Sequence, residues 1–434
     1  MRSPDHFRRS VLTAEIFLGT PVFAHALAVT ALFTAIAAEF IRNLIGWPGL
    51  LSIVIALVIV SLASLVARMR QDDLPTPTIP ISLLVYLGWA AASIFWSEYQ
   101  WPTLGGLAYL AAFTILAATL ALTRDTIQVV RVFGDVLRLV LILSIALETF
   151  SGILIDTPLK FLGIRGDIAE LGPIQGILGD ANELGIVAII AAITFATELR
   201  TKTVSRGGGI SSLALAAATI FLTQSPFIYV TVVAVAVAAA ALFGLRRVSP
   251  ARRPAAQISI LILAIVALGV LWAFRNAIVR VLNAGGELNG RLDHWKSVWS
   301  LIGLNPLEGW GWVGTWRTEL PPFTAFGFPV AGRESALNGY LDVWLQLGLV
   351  GAVIFVGLIG LAFVRSWFLA GHRRSIVYAW PALVLVALIV VTVFESSILV
   401  EYCWLTFVVC CIKAAQELSW RRSLSVPEPA QTAP

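Results

Sequence analysis

Residues 208–244 read GGISSLALAAATIFLTQSPFIYVTVVAVAVAAAALFG, with no Asp, Glu, Lys or Arg from one end to the other. Two apolar blocks, 208–223 and 227–244, are joined by the polar TQSP at 223–226 and followed by Arg246–Arg247. Each block is close to the roughly 20 apolar residues that carry a helix across hydrocarbon. Blocks of this kind recur along the chain, bounded by short charged connectors. The chain has 434 residues, of which 58% are hydrophobic and 13% charged, with a mean hydropathy of +0.87. Soluble domains carry about 25% charge, so soluble enzymes, secreted disulfide scaffolds and disordered chains are excluded.

The pattern predicts an all-α polytopic membrane protein with about 12 transmembrane helices. The expected spans are 15–38, 47–67, 80–96, 102–122, 132–150, 181–198, 208–223, 227–244, 258–275, 342–363, 377–394 and 397–415. The first apolar stretch has no clear small-x-small cleavage site and is taken as a span. With the N-terminus cytoplasmic, twenty of the 30 Lys and Arg residues fall on cytoplasmic segments and nine on outer ones, with Arg138 inside the fifth span. This bias sets both termini in the cytoplasm. The basic pI near 9.3 therefore reports topology and implies no nucleic-acid partner. Cys403, Cys410 and Cys411 share the last span and are read as small buried hydrophobes.

The expected layout is a cytoplasmic tail at 1–14, nine spans within 15–275, a long outer loop at 276–341, three spans within 342–415 and a cytoplasmic tail at 416–434. A second outer segment, about 151–180, is also too long for a mere connector. In the long loop, RLDHWKSVWSLIGLNPLEGWGW at 291–312 places Leu292, Trp295, Val298 or Trp299, and Ile302 on one helical face. That spacing predicts an amphipathic helix on the outer interface, beginning near Arg291 and ended by Asn305–Pro306.

An enzyme working on the outer face has no nucleotide supply, so its activated substrate arrives on a lipid, typically as a diphosphate. Fixed arginines suit such a group through their bidentate fork. Arg291 is the first candidate, followed by Arg165 and Arg333. Fifteen outer carboxylates offer no unique base. Glu395 and Glu401 flank the short outer turn between the last two spans and are expected to pair with an outer Arg. His294 is the outer histidine and shares a helical face with Arg291.

Four stretches carry a resemblance: WSEYQWPTLGG at 96–106, IQGILGDANELG at 174–185, NGRLDHWKSVWSLIGLNPLEGWGW at 289–312 and LNGYLDVWLQLGLVG at 337–351. Together they are similar to the O-antigen ligase and Wzy-type polymerase superfamily, membrane enzymes that handle polyprenyl-diphosphate-linked glycans. The resemblance implies a GT-C-like helical fold and transfer of an oligosaccharide to a saccharide or glycolipid acceptor, with no metal or other cofactor. It implies contact with membrane lipids and envelope glycan-synthesis proteins. It puts Arg291 on the donor diphosphate and Asn338 and Tyr340 on the block after the family's histidine, and Asn182, Ser225, Glu395 and Glu401 are expected with them along the acceptor cavity.

Two departures bear on chemistry. The position before Asn338, a histidine in the family, is Leu337, and Ser225 is followed by Pro226 where an arginine is usual. Leucine neither accepts a proton nor donates a hydrogen bond. Three readings follow: an active enzyme that has recruited Glu334, Arg333 or His294; a silent homologue that binds lipid-linked glycan or scaffolds a partner enzyme; or a substituted Leu337, which leaves Pro226 unexplained. A transporter is the different class, against which stand the lack of a repeat between the halves and the off-centre loop.

Overall fold

The computed structural model describes residues 18–70, 79–170, 172–281, 285–326 and 334–417. Residues 1–14, most of 416–434 and Arg333 lie outside the described residues. Among the described residues the secondary structure is helical, with no strand beyond the bridge between Leu159 and Ile164. Helices lie within every expected span. They are α1 (Pro21–Ile36), α2 (Ala38–Arg70), α3 (Ile81–Ala92), α4 (Gln100–Thr123), α5 (Thr126–Thr149), α6 (Ala181–Thr201), α7 (Arg206–Thr223), α8 (Pro226–Arg247), α9 (Arg253–Ala273), α10 (Arg275–Val281), α11 (Gly285–Ile302), α12 (Gly339–His372), α13 (Ala379–Val391) and α14 (Glu401–Glu417). Six of these, α2, α4, α6, α7, α8 and α12, are long and apolar enough to cross a membrane by length and composition.

Helix α14 is the most enclosed element. Nearly every residue from Tyr402 to Ala415 is buried, including all three cysteines, which are unpaired. It packs against α4, α12 and α13, while α6 packs against α5 and α7, and α8 against α13. At the edge, α9 leaves Ile258, Leu261, Leu263 and Ile265 exposed. An apolar face of that kind is stable in lipid and a liability in water.

Two helices are broken by glycines whose backbones only glycine adopts readily: Gly46 in α2 (φ 74, ψ 174) and Gly348 in α12 (φ 69, ψ −175). The α12 break frees carbonyls that hydrocarbon cannot satisfy. The segment after α11 satisfies them. Trp310 N donates to Leu345 O at 3.0 Å and Gly311 N to Gln346 O at 2.8 Å, and Leu349 N donates to Pro306 O at 2.9 Å. Trp89 Nε1 donates to Leu347 O at 3.0 Å. Contact is so close that a Cβ on Gly309 would lie 2.4 Å from Gly348 N. This is the physical content of the P-x-x-G-x-G run at 306–311.

Buried polar side chains staple both long connections to the bundle. Gln346 Oε1 accepts from Val313 N and Gly314 N at 2.8 and 2.9 Å. Asp342 accepts from Trp316 Nε1 at 2.8 Å and Ala336 N at 3.1 Å. Across the fold, buried Glu148 accepts from Gly166 N, Gln175 N and Gly176 N at 3.0, 2.9 and 2.9 Å. The long connection has its own small core, in which Val298 and Ile302 of α11 meet Val313, Trp316, Phe323 and Leu345. Leu292 and Trp299 of the expected apolar face remain exposed.

A Cβ at Gly348 would lie 2.0 Å from Leu307 O, whereas one at Gly357 meets nothing within 4 Å. Gly348→Ala is therefore expected to cost about 3 kcal/mol or more. Gly357→Ala should match wild type. Thermal unfolding of the purified protein in one fixed lipid or detergent checks the contrast.

Candidate functional site

Three helices begin at one place on the face that carries the long connections. Asp180 caps α6 by accepting from Asn182 N and Glu183 N. Ser225 caps α8 by accepting from Ile228 N, with Pro226 at the first helical position, where its missing N–H costs nothing. Asn338 caps α12 by accepting from Tyr340 N and Leu341 N. The non-family Pro226 is thus a helix-start residue. Its neighbour Phe227 stacks on Phe394 with ring centroids 4.7 Å apart.

Arg291 closes this junction. It lies well inside α11, which begins at Gly285 and not near Arg291 as the sequence spacing suggests. Its side chain is 4% exposed, and Nη2 donates to Glu395 Oε1 at 2.8 Å. Nη1 donates to Phe394 O, and the guanidinium carbon sits 4.3 Å from the centre of the Phe227 ring. Asn182 Nδ2 donates to the same Glu395 oxygen at 2.8 Å. Among the described residues no hydrogen bond uses Glu395 Oε2. Gly339 N donates to Glu395 O at 3.2 Å and Thr392 O at 2.8 Å, which ties the start of α12 to the same turn.

The remaining sequence candidates separate. His294 points elsewhere than Arg291: its Nε2 pairs with Ser335 O at 2.9 Å, and Trp295 Nε1 donates to Leu337 O at 3.3 Å. Together they grip the 335–337 turn, which holds Leu337 at φ 51. A leucine there is unusual, since the left-handed region costs roughly 1–2 kcal/mol for residues other than glycine. Tyr340 donates its hydroxyl to Ile389 O at 3.3 Å. Arg165 is exposed and lies against Gln175, whose oxygen, with the amide turned to satisfy both ends, accepts from Arg165 Nε at 2.7 Å.

Glu334 and Glu401 line a separate cavity of about 490 Å³ with Trp47, Tyr109, Trp312 and Trp404. Glu401 Oε1 accepts from Arg42 Nη1 at 3.2 Å and from Tyr109 Oη at 2.9 Å. Both carboxylates of the short turn therefore pair with an arginine, Glu395 with Arg291 and Glu401 with Arg42. The sequence did not single out Phe227, Phe394, Arg42, Tyr109 or Trp312. Their roles come from contacts between distant segments and leave no local signal.

Residues 211–356 match the family model described as O-antigen ligase. That stretch is similar to the O-antigen ligase family. No curated protein matches the chain. The O-antigen ligase match contains Ser225, Arg291, the P-x-x-G-x-G run, Leu337, Asn338 and the Gly348 break, and it ends before Glu395.

Burial pushes the Glu395 carboxyl up from its ordinary 4.5 to about 7, against the pull of Arg291 and with a further push from Asp180. Arg291 on α11 and Asp180 and Glu183 at the start of α6 are the charged groups facing it. The folded carboxyl holds its proton more tightly than the unfolded one, so its contribution to stability is complete below about 4.5 and is lost as pH rises to about 7. Stability measured across that window should fall for wild type and fall less for Glu395→Gln.

Proposed function

We propose that this multi-pass membrane protein is a glycan ligase or polymerase, which moves an oligosaccharide from a polyprenyl-diphosphate-linked donor to a saccharide or glycolipid acceptor. It does so on the outer face of a bacterial plasma membrane, in a GT-C-like fold of twelve spans with both termini cytoplasmic. The family match supports the enzyme class. The observation that carries the site is the joining of Arg291, Glu395 and Asn182 where α6, α8 and α12 begin. Three helix starts add positive potential to a fixed guanidinium, which is what a diphosphate needs. An apolar crevice of about 280 Å³, lined in part by Ile189, Ala192, Val232, Val235 and Leu383, offers room for part of the polyprenyl chain.

In this mechanism the diphosphate replaces Phe394 O as an acceptor from Arg291. An acceptor hydroxyl oxygen attacks the anomeric carbon, and the bond from that carbon to the diphosphate oxygen breaks. The bonding pair leaves with the polyprenyl diphosphate, and the hydroxyl proton passes to Glu395 Oε2. Glu395 thus takes the role that the family gives to histidine at position 337, while His294 holds the adjoining turn. Neutralising Glu395 also unmasks the charge of Arg291 as the leaving group gains its own. Stabilisation is then greatest in the transition state, where it accelerates the reaction. The reaction requires no metal.

A second function, a silent homologue that holds lipid-linked glycan, is favoured by Leu337 and by the depth at which Arg291 is buried. Cells separate the two. A strain lacking the gene should accumulate polyprenyl-diphosphate-linked oligosaccharide, and wild type should clear it. At matched expression, Arg291→Ala and Glu395→Gln should fail to clear it, with transfer reduced roughly 10²–10⁴-fold by loss of the base. Lys296→Ala, on a side chain 77% exposed, should behave as wild type. Clearance by Arg291→Ala and Glu395→Gln at the wild-type rate would sink this site and make the scaffold the better reading.

A further inference from the structure

Away from the Arg291 junction, three buried cations gather at the other end of the bundle and take no part in the steps above. Arg68 lies in the last turn of α2, Arg124 ends α4, and Lys413 stands late in α14. At 1.5 Å per residue, the helix from Glu401 to Lys413 carries the chain roughly 18 Å from the Glu395–Glu401 turn. Helix α1 packs on α2, α4 and α14. Arg68 and Arg124 are each 8% exposed and Lys413 is 6% exposed.

Arg68 Nη2 donates to Thr20 O at 3.3 Å, Arg124 Nη2 to Pro21 O, and Lys413 Nζ to Arg124 O and to Gln416 Oε1 at 3.1 Å. None of these acceptors carries a charge, and Thr20 O already accepts from Ala24 N at 3.1 Å. Among the described residues neither Arg68 nor Arg124 forms an ion pair, and the Nε of each is buried without a hydrogen-bond partner. Asp125, the next residue after Arg124, is exposed and belongs to the capping box of α5. Burial, and then the nearby charge of Arg68, pull the Arg124 guanidinium down from its ordinary value. Arginine still keeps its proton inside proteins. Two like charges thus share a poorly hydrated place, an arrangement that is costly without an opposite charge.

What offsets them must be an anion, since a cation adds repulsion and water offers an acceptor without charge. A ligand can reach the pair. No hydrogen bond among the described residues uses Nη1 of Arg68 or of Arg124, and neither Nη1 is sealed from the surface as the two Nε atoms are. A phosphate group presents several charged oxygens in the geometry that guanidinium forks bind, so one group can bridge both arginines. A halide carries charge without that geometry. We propose that Arg68 and Arg124 form a phosphate-binding site at the end of the bundle opposite the transfer site, with the two Nη1 groups as donors. With the termini cytoplasmic, this end meets the inner leaflet and the cytoplasm. Its phosphate is that of an anionic phospholipid headgroup or free phosphate, and binding fixes the ends of α2 and α4 against the start of α1. The site does not depend on the transfer function proposed above.

The test starts from the full chain in phosphatidylcholine nanodiscs, in gluconate buffer free of phosphate and chloride. Phosphatidylglycerol in the nanodisc, inorganic phosphate or chloride is then added separately. Thermal unfolding and native mass spectrometry of retained lipid are the readouts. Phosphatidylglycerol or inorganic phosphate should raise the melting temperature saturably, and chloride should not. A response to the lipid alone identifies the headgroup, and a response to inorganic phosphate identifies the free anion. Arg124→Gln should weaken apparent affinity about tenfold or more, as for loss of a charge-assisted hydrogen bond. The gap in melting temperature between wild type and Arg124→Gln should widen as the anion is added, whereas loss of a purely structural contact leaves it constant. Arg124→Lys, which keeps the charge without the fork, should fall between. Arg206→Gln, on an exposed arginine at the start of α7, tests general attraction, and Arg291→Ala tests binding at the transfer site; both should respond as wild type does. If Arg124→Gln does not fold, Arg124→Lys and the comparison of phosphate with chloride on wild type still decide. No saturable response to either phosphatidylglycerol or phosphate, an equal response to chloride, a constant gap, or an equal loss in Arg206→Gln or Arg291→Ala would overturn the assignment.

Discussion

A helix broken inside a membrane protein must find partners for the carbonyls it frees, and the rest of this structure follows from how α12 does so. Hydrocarbon offers no hydrogen bonds, so each orphan carries a large desolvation cost. The 306–311 segment supplies the N–H groups, which brings the long connection down onto α12. Gln346 and Asp342, one turn apart, then staple Val313, Gly314, Trp316 and Ala336. With that segment anchored, α11 is held over the starts of α6 and α8, and Arg291 reaches Glu395. The break is therefore the device that turns a polar loop into a rigid wall of the site.

The Arg291–Glu395 pair also fits what a buried ion pair does well. Such pairs add little net stability, because desolvation offsets attraction. Proximity to neutrality makes Glu395 responsive instead: its carboxyl, pushed up to about 7, can gain or lose a proton at modest cost. Phe227 and Phe394 keep water away from the guanidinium on one side, so each change in the carboxylate is felt strongly by Arg291. Pro226 belongs to the same arrangement, since it starts α8 and sets Phe227 beneath the arginine.

Much of this was legible in the apolar blocks, each of which contains a helix, and in the placing of Arg291 on a helix of the long connection. The pairing of Glu395 and Glu401 with arginines was legible too, because an ionised group near hydrocarbon needs a partner. The choice of partner was not. Arg291 and Glu395 are 104 positions apart and Asn182 and Glu395 are 213 apart, distances across which one sequence carries no pairing signal. Helical periodicity put Arg291 and His294 on one face, but their side chains diverge, one to the α13–α14 turn and the other to Ser335. The cavity at Trp312 was equally hidden, since a buried tryptophan in a membrane protein reads first as core or as an interface anchor.

The central claim is that Glu395 accepts the proton while Arg291 receives the leaving diphosphate. It is tested most directly by the pH dependence of single-turnover polyprenyl diphosphate release, using purified protein, a radiolabelled polyprenyl-diphosphate oligosaccharide and saturating acceptor. Wild type should show a rate that rises with pH through an inflection near 7, where Glu395 ionises. Glu395→Asp should retain an inflection at a reduced rate. Glu395→Gln should be slow and flat across the same range. A Glu395→Gln protein that releases polyprenyl diphosphate at the wild-type rate, with the same inflection, would contradict the account.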